Sequence, residues 1–401
     1  MDEKMVKEDK DINTVEIETI EMLKEPKKKG KKGIIIISLV LVMVIAVSLV
    51  LCFTMFTSKS EILAAVKMGN EWGYINTKGK LVMPVKYSYA LGFSDGVATV
   101  GEGDIFDGTI GFVDSKGKYL FVEDAIESII DGTTVFSEGF ACVCENDKCG
   151  FINTKGDYVI DAQFDEANDF SEGLAAVKED EKWGYINSDG DYVIDARFDE
   201  VSSFSEDMAA VCENGKWGYI NKKGEMIIQP QFENAHIFSD GLAAVMLDEK
   251  YGYVNTEGKM VISCSKYEDA GDFKEGFACV CENGKWGYID PKGEYLIEPQ
   301  FDMANEFSDG MARVIDYDLK NYDEIYKYVN TDGEVIEFPY VWSGEFSQGL
   351  ACVKENGMFG YINKKGEVVI EPKFDDAGRF YDVSQKNNAH EDILLEQFER
   401  Q

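Results

Sequence analysis

The feature that most constrains this chain is the stretch at residues 181–190, EKWGYINSDG, because versions of it recur nine times between residues 71 and 366. One copy reads as a short strand, Lys182–Ile186, running into a tight turn. An Asn or Asp opens that turn at 76, 114, 153, 187, 221, 255, 290, 330 and 363. A glycine closes it three residues later, at 79, 117, 156, 190, 224, 258, 293, 333 and 366. The side-chain oxygen at the first position can accept a main-chain N–H, and only glycine takes positive φ without strain at the last. The spacing therefore predicts a hairpin loop made of a type I turn plus a left-handed residue. Units start near 62, 97, 140, 174, 208, 242, 277, 311 and 350, mostly 34 or 35 residues apart. At that period 401 residues make one stacked body rather than two or three domains.

Each unit reads in three beats and a return. A short apolar strand such as 174–177 or 242–245 comes first, then the aromatic-Gly strand, then a third strand such as 225–228. The return carries a Phe-Ser-acid-Gly corner at Phe93, Phe136, Phe170, Phe204, Phe238 and Phe307, with near-copies at Phe273 and Phe346. At Phe380 the corner decays to Tyr-Asp-Val and the array ends. The expected fold class is all-β: a tandem array of about nine three- to four-stranded antiparallel units, preceded by a single transmembrane helix. The array closes as a propeller-like ring or winds as an open superhelix. A ring has no exposed end edges, whereas a superhelix needs caps, a role open to the acidic last corner and the polar tail at 384–401.

Residues 34–56 are 23 residues without a charge. As a helix rising about 1.5 Å per residue they exceed a hydrocarbon core of about 30 Å. The basic cluster at 27–32 precedes this run, so residues 1–33 are expected as a cytoplasmic arm and the array, 61–383, outside the membrane. The run is too long for a cleaved signal peptide and no small-x-small site follows it, which favours an uncleaved signal-anchor.

The run Lys-Trp-Gly-Tyr-Ile-Asn-x-x-Gly, at 216–224 and 285–293, resembles the WG (KWG) repeat of bacterial proteins. The Trp-Gly pair, the Asn turn, Ile228-x-Pro230-x-Phe232 and the Phe-Ser corner all occur in that order. The resemblance covers about 61–383 and implies a β-rich array with no assigned activity, often outside a membrane anchor. Cys149, Tyr251, Phe359 and Ile110 stand where Trp is expected, and unit eight has Tyr326-Lys327 in place of Trp-Gly. A looser likeness joins the hairpins to cell-wall-binding repeats, which hold sugars or choline on aromatic side chains.

The formal charge is −35, and all of it falls on residues 57–401, since 1–33 carry nine Lys against nine Asp and Glu. Such a surface repels phosphates, which argues against nucleic acid. Only His236 and His390 are present, so a zinc site or a Ser-His-Asp triad has little to stand on, and both histidines are expected at the surface. Acid pairs (Asp165-Glu166, Asp199-Glu200, Asp375-Asp376) recur in most units, as a solvated loop face would. Candidate binding residues are Trp72, Trp183, Trp217 and Trp286, with Tyr317 and Tyr322 in the insertion of unit eight. Apolar residues fill the Trp slot in other units, which favours core packing over sugar stacking. The insertions (101–108 and 126–134 in unit two, 317–325 in unit eight) are either a functional face or drift in surface loops.

Eight cysteines lie in the array. Cys142, Cys279 and Cys352 fill a small-residue slot held elsewhere by Ala65, Ala176, Ala210 and Ala244. Cys142 or Cys144 could meet Cys149 or Cys212 between neighbouring units. No catalytic residue, metal or cofactor is expected. The functional expectation is a membrane-anchored extracytoplasmic binding module for a cell-envelope glycan or protein. The alternative is a cell-envelope glycosidase using paired carboxylates.

Overall fold

The computed structural model describes residues 61–103, 109–123, 135–318, 320–321 and 323–383. The chain divides into a first unit, Met1–Lys59, and a second, Ser60–Gln401, which holds all the described residues. The expected arm (1–33), span (34–56) and tail (384–401) lie outside the described residues, as does Tyr322. Among the described residues no helix is long and apolar enough to cross a membrane.

The second unit is a nine-bladed β-propeller of antiparallel sheets. Blade four is representative: Glu166–Ser171, Leu174–Glu179, Lys182–Ile186 and Tyr192–Phe198, paired in chain order. The return segment is therefore the first strand of the next blade, which moves the structural unit one strand away from the sequence unit. This offset also closes the ring. Blade one takes Ile62–Met68, Glu71–Asn76 and Leu81–Tyr87 from the start of the array, and Asp376–Ala377 and Tyr381–Asp382 from its end. Val66 pairs with Ala377 and Leu63 with Tyr381, both antiparallel. A ring, not a superhelix, is formed, and neither end of the array is left as an unpaired edge.

The nine Asx-Gly turns form as the spacing predicts. At Asn187 the side-chain Oδ1 accepts the N–H groups of Asp189 and Asp191, each at 3.0 Å, and Gly190 donates to the Asn187 carbonyl. Gly190 has φ of +83°.

The motif Trp-Gly and the distant Ile-x-Pro-x-Phe turn out to be one device. Trp183 pairs with Phe198 and Tyr185 with Ile194, so the fourth strand bulges opposite Gly184. A Cβ on Gly184 would lie 2.5 Å from the Ile194 carbonyl oxygen, which is why this position admits only glycine. Bulged residues lack ladder partners, so proline fits there, as at Pro230, Pro299 and Pro372 beside Gly218, Gly287 and Gly360.

The core is a series of inter-blade layers. The tyrosine after Trp-Gly is wholly buried at Tyr74, Tyr185, Tyr219, Tyr253, Tyr288, Tyr328 and Tyr361. In each of these the phenol donates to a main-chain carbonyl in, or directly after, the following blade's first strand. The tryptophans are less deeply placed. Trp72, Trp183, Trp217 and Trp286 are half-buried at the margins of the core layers.

Candidate functional site

The Phe-Ser-acid-Gly corners converge into a collar. Each serine donates to the corner phenylalanine's carbonyl in the next blade: Ser94 to Phe136, Ser137 to Phe170, Ser171 to Phe204, Ser205 to Phe238, Ser239 to Phe273, Ser308 to Phe346 and Ser347 to Phe380, at 2.6–2.8 Å. The acid that follows reaches the same way. Glu138 accepts from Gly173 N–H at 2.8 Å, and Glu172 from Glu206 and Asp207 N–H at 2.7 and 2.9 Å. The acids sit at positive φ, as at Glu172 (+54°), followed by a glycine, and an unmatched N–H of the next tight turn is what they satisfy. These recurring carboxylates tie blades together. The acid pairs instead hold a hairpin turn of their own blade: Asp199 takes the Asn214 N–H at 2.7 Å and Asp375 the Gly69 N–H at 2.6 Å.

Two blades break the serine pattern, and both mark something. In blade seven Lys274 replaces serine. In blade one Tyr381 does, and its ring fills the space that a side chain on Gly92 would need. On blades two and three the positions before the corner phenylalanine include Leu91, Gly92 and Val135, which are apolar or bare. On blades six to nine and across to blade one they are His236, Asp272, Asn305, Glu306, Glu345 and Arg379.

These polar side chains form a connected arc. His236 Nδ1 lies 3.0 Å from Asp272 Oδ1. The Asp272 N–H donates to Glu306 Oε1 at 2.9 Å, and Lys274 Nζ lies 2.7 Å from Glu306 Oε2. Asn305 Nδ2 donates to Glu345 Oε1 at 2.7 Å, and Arg379 lies 3.0 Å from Glu345 Oε2. Arg313, only 4 % exposed, donates to the Ser343 carbonyl at 3.2 Å and to Asn305 Oδ1 at 3.4 Å. The chain has four arginines, at 197, 313, 379 and 400. Two of them stand here. The planar fork of arginine suits a buried carboxylate and amide network in a way lysine does not.

Electrostatics within the arc follow from this geometry. The hydrogen bond to Asp272 raises the pKa of His236 against the opposing effect of burial. Burial raises the pKa of Glu306, which the neighbouring Lys274 partly offsets. His236 is thus a half-buried member of a network, not the surface residue expected from the sequence.

The sequence-derived candidates are not brought together. Trp72, Trp183, Trp217 and Trp286 occupy one equivalent position each on blades one, four, five and seven. Their neighbours are structural: Lys67 and Lys178 stand over the rings of Trp72 and Trp183 at 5.8 and 5.7 Å. Tyr317 extends from the long hairpin Met311–Asp318/Asp323–Asn330, 43 % exposed, with its N–H on Asp302 at 2.9 Å. The arc was missed because its residues are scattered singly through otherwise regular units. The repeats in columns carry the signal: Arg313 stands in the slot of Ala65, Ala176, Ala210 and Ala244, and the position before the corner phenylalanine turns from Gly92 and Val135 to Asp272, Glu306, Glu345 and Arg379.

The model of the WG containing repeat matches nine segments, from 72–104 through 359–382, which together span most of the array. The chain belongs to the WG-repeat family. No curated protein matches the sequence. Among solved structures, this WG-repeat propeller is similar to a eukaryotic initiation factor, at 12 % identity and TM-score 0.56, covering 80 % of this chain and 98 % of that one. At that identity the likeness speaks for the fold alone. Dipeptidyl peptidase 4 of Porphyromonas gingivalis (11 % identity, TM-score 0.41, 85 % and 62 % covered) and the WD40 domain of Toxoplasma gondii coronin (12 %, 0.31, 75 % and 85 %) are more distant and carry no argument.

Proposed function

We propose that this WG-repeat propeller is a membrane-anchored extracytoplasmic binding module, and that it recognises a polar cell-envelope glycan through the arc on blades six to nine and one. The observation that carries this reading is the departure from repeat symmetry. Seven corners keep a serine that serves the collar, yet one segment of the ring concentrates Arg313, Arg379, Glu345, Asn305 and His236. Collar hydrogen bonds alone do not require charged groups, and mixed donors and acceptors held rigidly by a ring suit a neutral polyhydroxylated chain. The anchor and the side of the membrane rest on residues 34–56 and the lysines at 27–32.

A glycosidase needs a carboxylic acid free to give its proton to the leaving group. Glu306 has the raised pKa of such an acid, but Oε1 is held by the Asp272 N–H and Oε2 by Lys274. That favours binding over hydrolysis.

The test is a glycan array probed with the full chain in detergent, beside Arg379→Ala and Glu345→Gln. Retention of envelope glycans by the wild type, reduced at least about tenfold in the variants with unchanged far-UV spectra, supports the reading. A wild type that retains no glycan but captures an envelope protein would replace glycan with protein as the ligand. Turnover of a bound glycan would favour the enzyme.

A further inference from the structure

Blade three departs from the repeat in a different way. Cys142 fills the small-residue slot, with its thiol 3.5 Å from the Ala167 carbonyl of blade four. Cys144 and Cys149 are direct cross-strand partners in the hairpin Phe140–Glu145/Lys148–Asn153 and form a disulfide. The bridge lies within one blade, not between neighbouring units as the sequence reading allowed. At the equivalent pair other blades place Lys67 opposite Trp72, Lys178 opposite Trp183 and Lys354 opposite Phe359. Filling an apolar slot explains Cys142, and Cys212 and Cys281 hold the Cys144 position opposite Trp217 and Trp286. Neither explains why both members of a paired position became cysteine next to Cys142.

The three sulfurs lie within 4.8 Å of one another. A trigonal thiolate site with metal–sulfur bonds of about 2.3 Å has sulfurs about 4 Å apart. Breaking the bond between Cys144 and Cys149 takes their sulfurs from bonding to van der Waals distance, about 3.5–4 Å, which is near the edge of that triangle. Cys149 is buried, and Phe140, Ala167 and Phe170 surround Cys142 with apolar surface. Soft sulfur ligands select thiophilic ions over calcium or magnesium.

We propose that Cys142, Cys144 and Cys149 form a redox-gated site for one soft metal ion of the copper(I) or zinc type, closed while the disulfide stands and opened by its reduction. A dithiol reductant supplies two electrons and two protons, becoming a disulfide itself, and leaves thiols on Cys144 and Cys149. The metal then binds without changing its oxidation state, and the thiol protons pass to solvent as the metal–sulfur bonds form. Copper(I) is satisfied by three sulfurs, whereas zinc takes a fourth ligand from water.

The experiment takes the full chain in detergent, oxidised or reduced by a phosphine, and titrates it with zinc and, separately, with copper(I) held by a chromophoric competitor. Reduced wild type is expected to take up one tight equivalent more than the oxidised protein. That equivalent should weaken at least about tenfold in Cys144→Ser, Cys149→Ser and Cys142→Ala. Cys142→Ala keeps the disulfide and carries the residue that other blades tolerate, so its folding is not at issue. Preference between the two metals identifies the ion. Equal uptake by oxidised and reduced protein, or a Cys142→Ala variant binding as tightly as wild type, overturns the proposal.

Discussion

The phenol of Tyr219, in the third strand of blade five, donates at 2.8 Å to the main-chain carbonyl of His236, directly after the first strand of blade six. One residue thus supplies the bulk of an inter-blade layer and pins the strand that carries the charged arc. Its edge-to-face partner is Phe238, with ring centroids 4.8 Å apart. Tyr219→Phe should cost about 1–2 kcal/mol, since it leaves a buried carbonyl unsatisfied. Tyr219→Ala should cost about 3–5 kcal/mol. Trp217→Ala, at a half-buried margin, should cost less, about 1–3 kcal/mol. Urea midpoints of the three variants check the order, and a Trp217 effect larger than that of Tyr219 would contradict this account of the core.

The collar serines make a separable contribution. Ser171 is buried and holds the Phe204 carbonyl at 2.7 Å. Ser171→Ala should lower stability by about 1–2 kcal/mol, through the orphaned carbonyl rather than through lost volume. Ser171→Thr retains the hydroxyl and should recover part of the loss if the added methyl is accommodated. Denaturant titration of both variants decides the matter.

Ring closure depends on a segment that no other unit supplies. Phe380 is buried, its carbonyl takes the Ser347 hydroxyl, and Tyr381 pairs with Leu63. Phe380→Ala should cost about 3–5 kcal/mol. Removing residues 375–383 exposes Ile62–Met68 as a bare edge and should produce oligomers by strand pairing. Size-exclusion chromatography reads this, and a monodisperse truncated protein of unchanged stability would mean that the ring does not need its latch.

Stability should fall as pH rises through neutrality. The folded-state pKa of His236 lies above its ordinary 6.5, because the protonated ring is held by Asp272. Its contribution is therefore fully present below about pH 6.5 and lost as pH climbs through the higher folded value. Glu306, raised from 4.5 by burial, acts with the same sign in its own window at lower pH. Groups facing His236 include Asp272, Asp269, Glu306 and the Tyr251 ring. His236→Asn should flatten the dependence between about pH 6 and 8, measured by urea midpoints. An unchanged slope would assign the dependence to other groups.

Local features were legible in sequence wherever a backbone conformation admits few residue types. The Asn187–Gly190 turn is one case, and the Gly after Trp is another, since no side chain fits against the Ile194 carbonyl. The role of the tyrosine beside that glycine is not legible in sequence, because period and composition do not reveal which of two nearby aromatics faces a neighbouring blade. The acids of the corners are the residue type a solvated face carries, and they are half-buried, as Glu138 and Glu172, or exposed, as Glu206 and Glu275. Their carboxylates nonetheless hold N–H groups about 35 residues away, a pairing visible only once blades stand side by side.

By itself the sequence determined that this protein is a run of like antiparallel hairpin modules, because turn chemistry and strand alternation are local and repeat nine times. Tertiary structure alone decided that the ring closes, with Asp376–Ala377 and Tyr381–Asp382 completing blade one. It alone gathered His236, Asp272, Glu306, Glu345 and Arg379, one residue from each of several units, into one arc. Closure depends on the small rotation between adjacent blades summed around the array, and no single repeat encodes that sum.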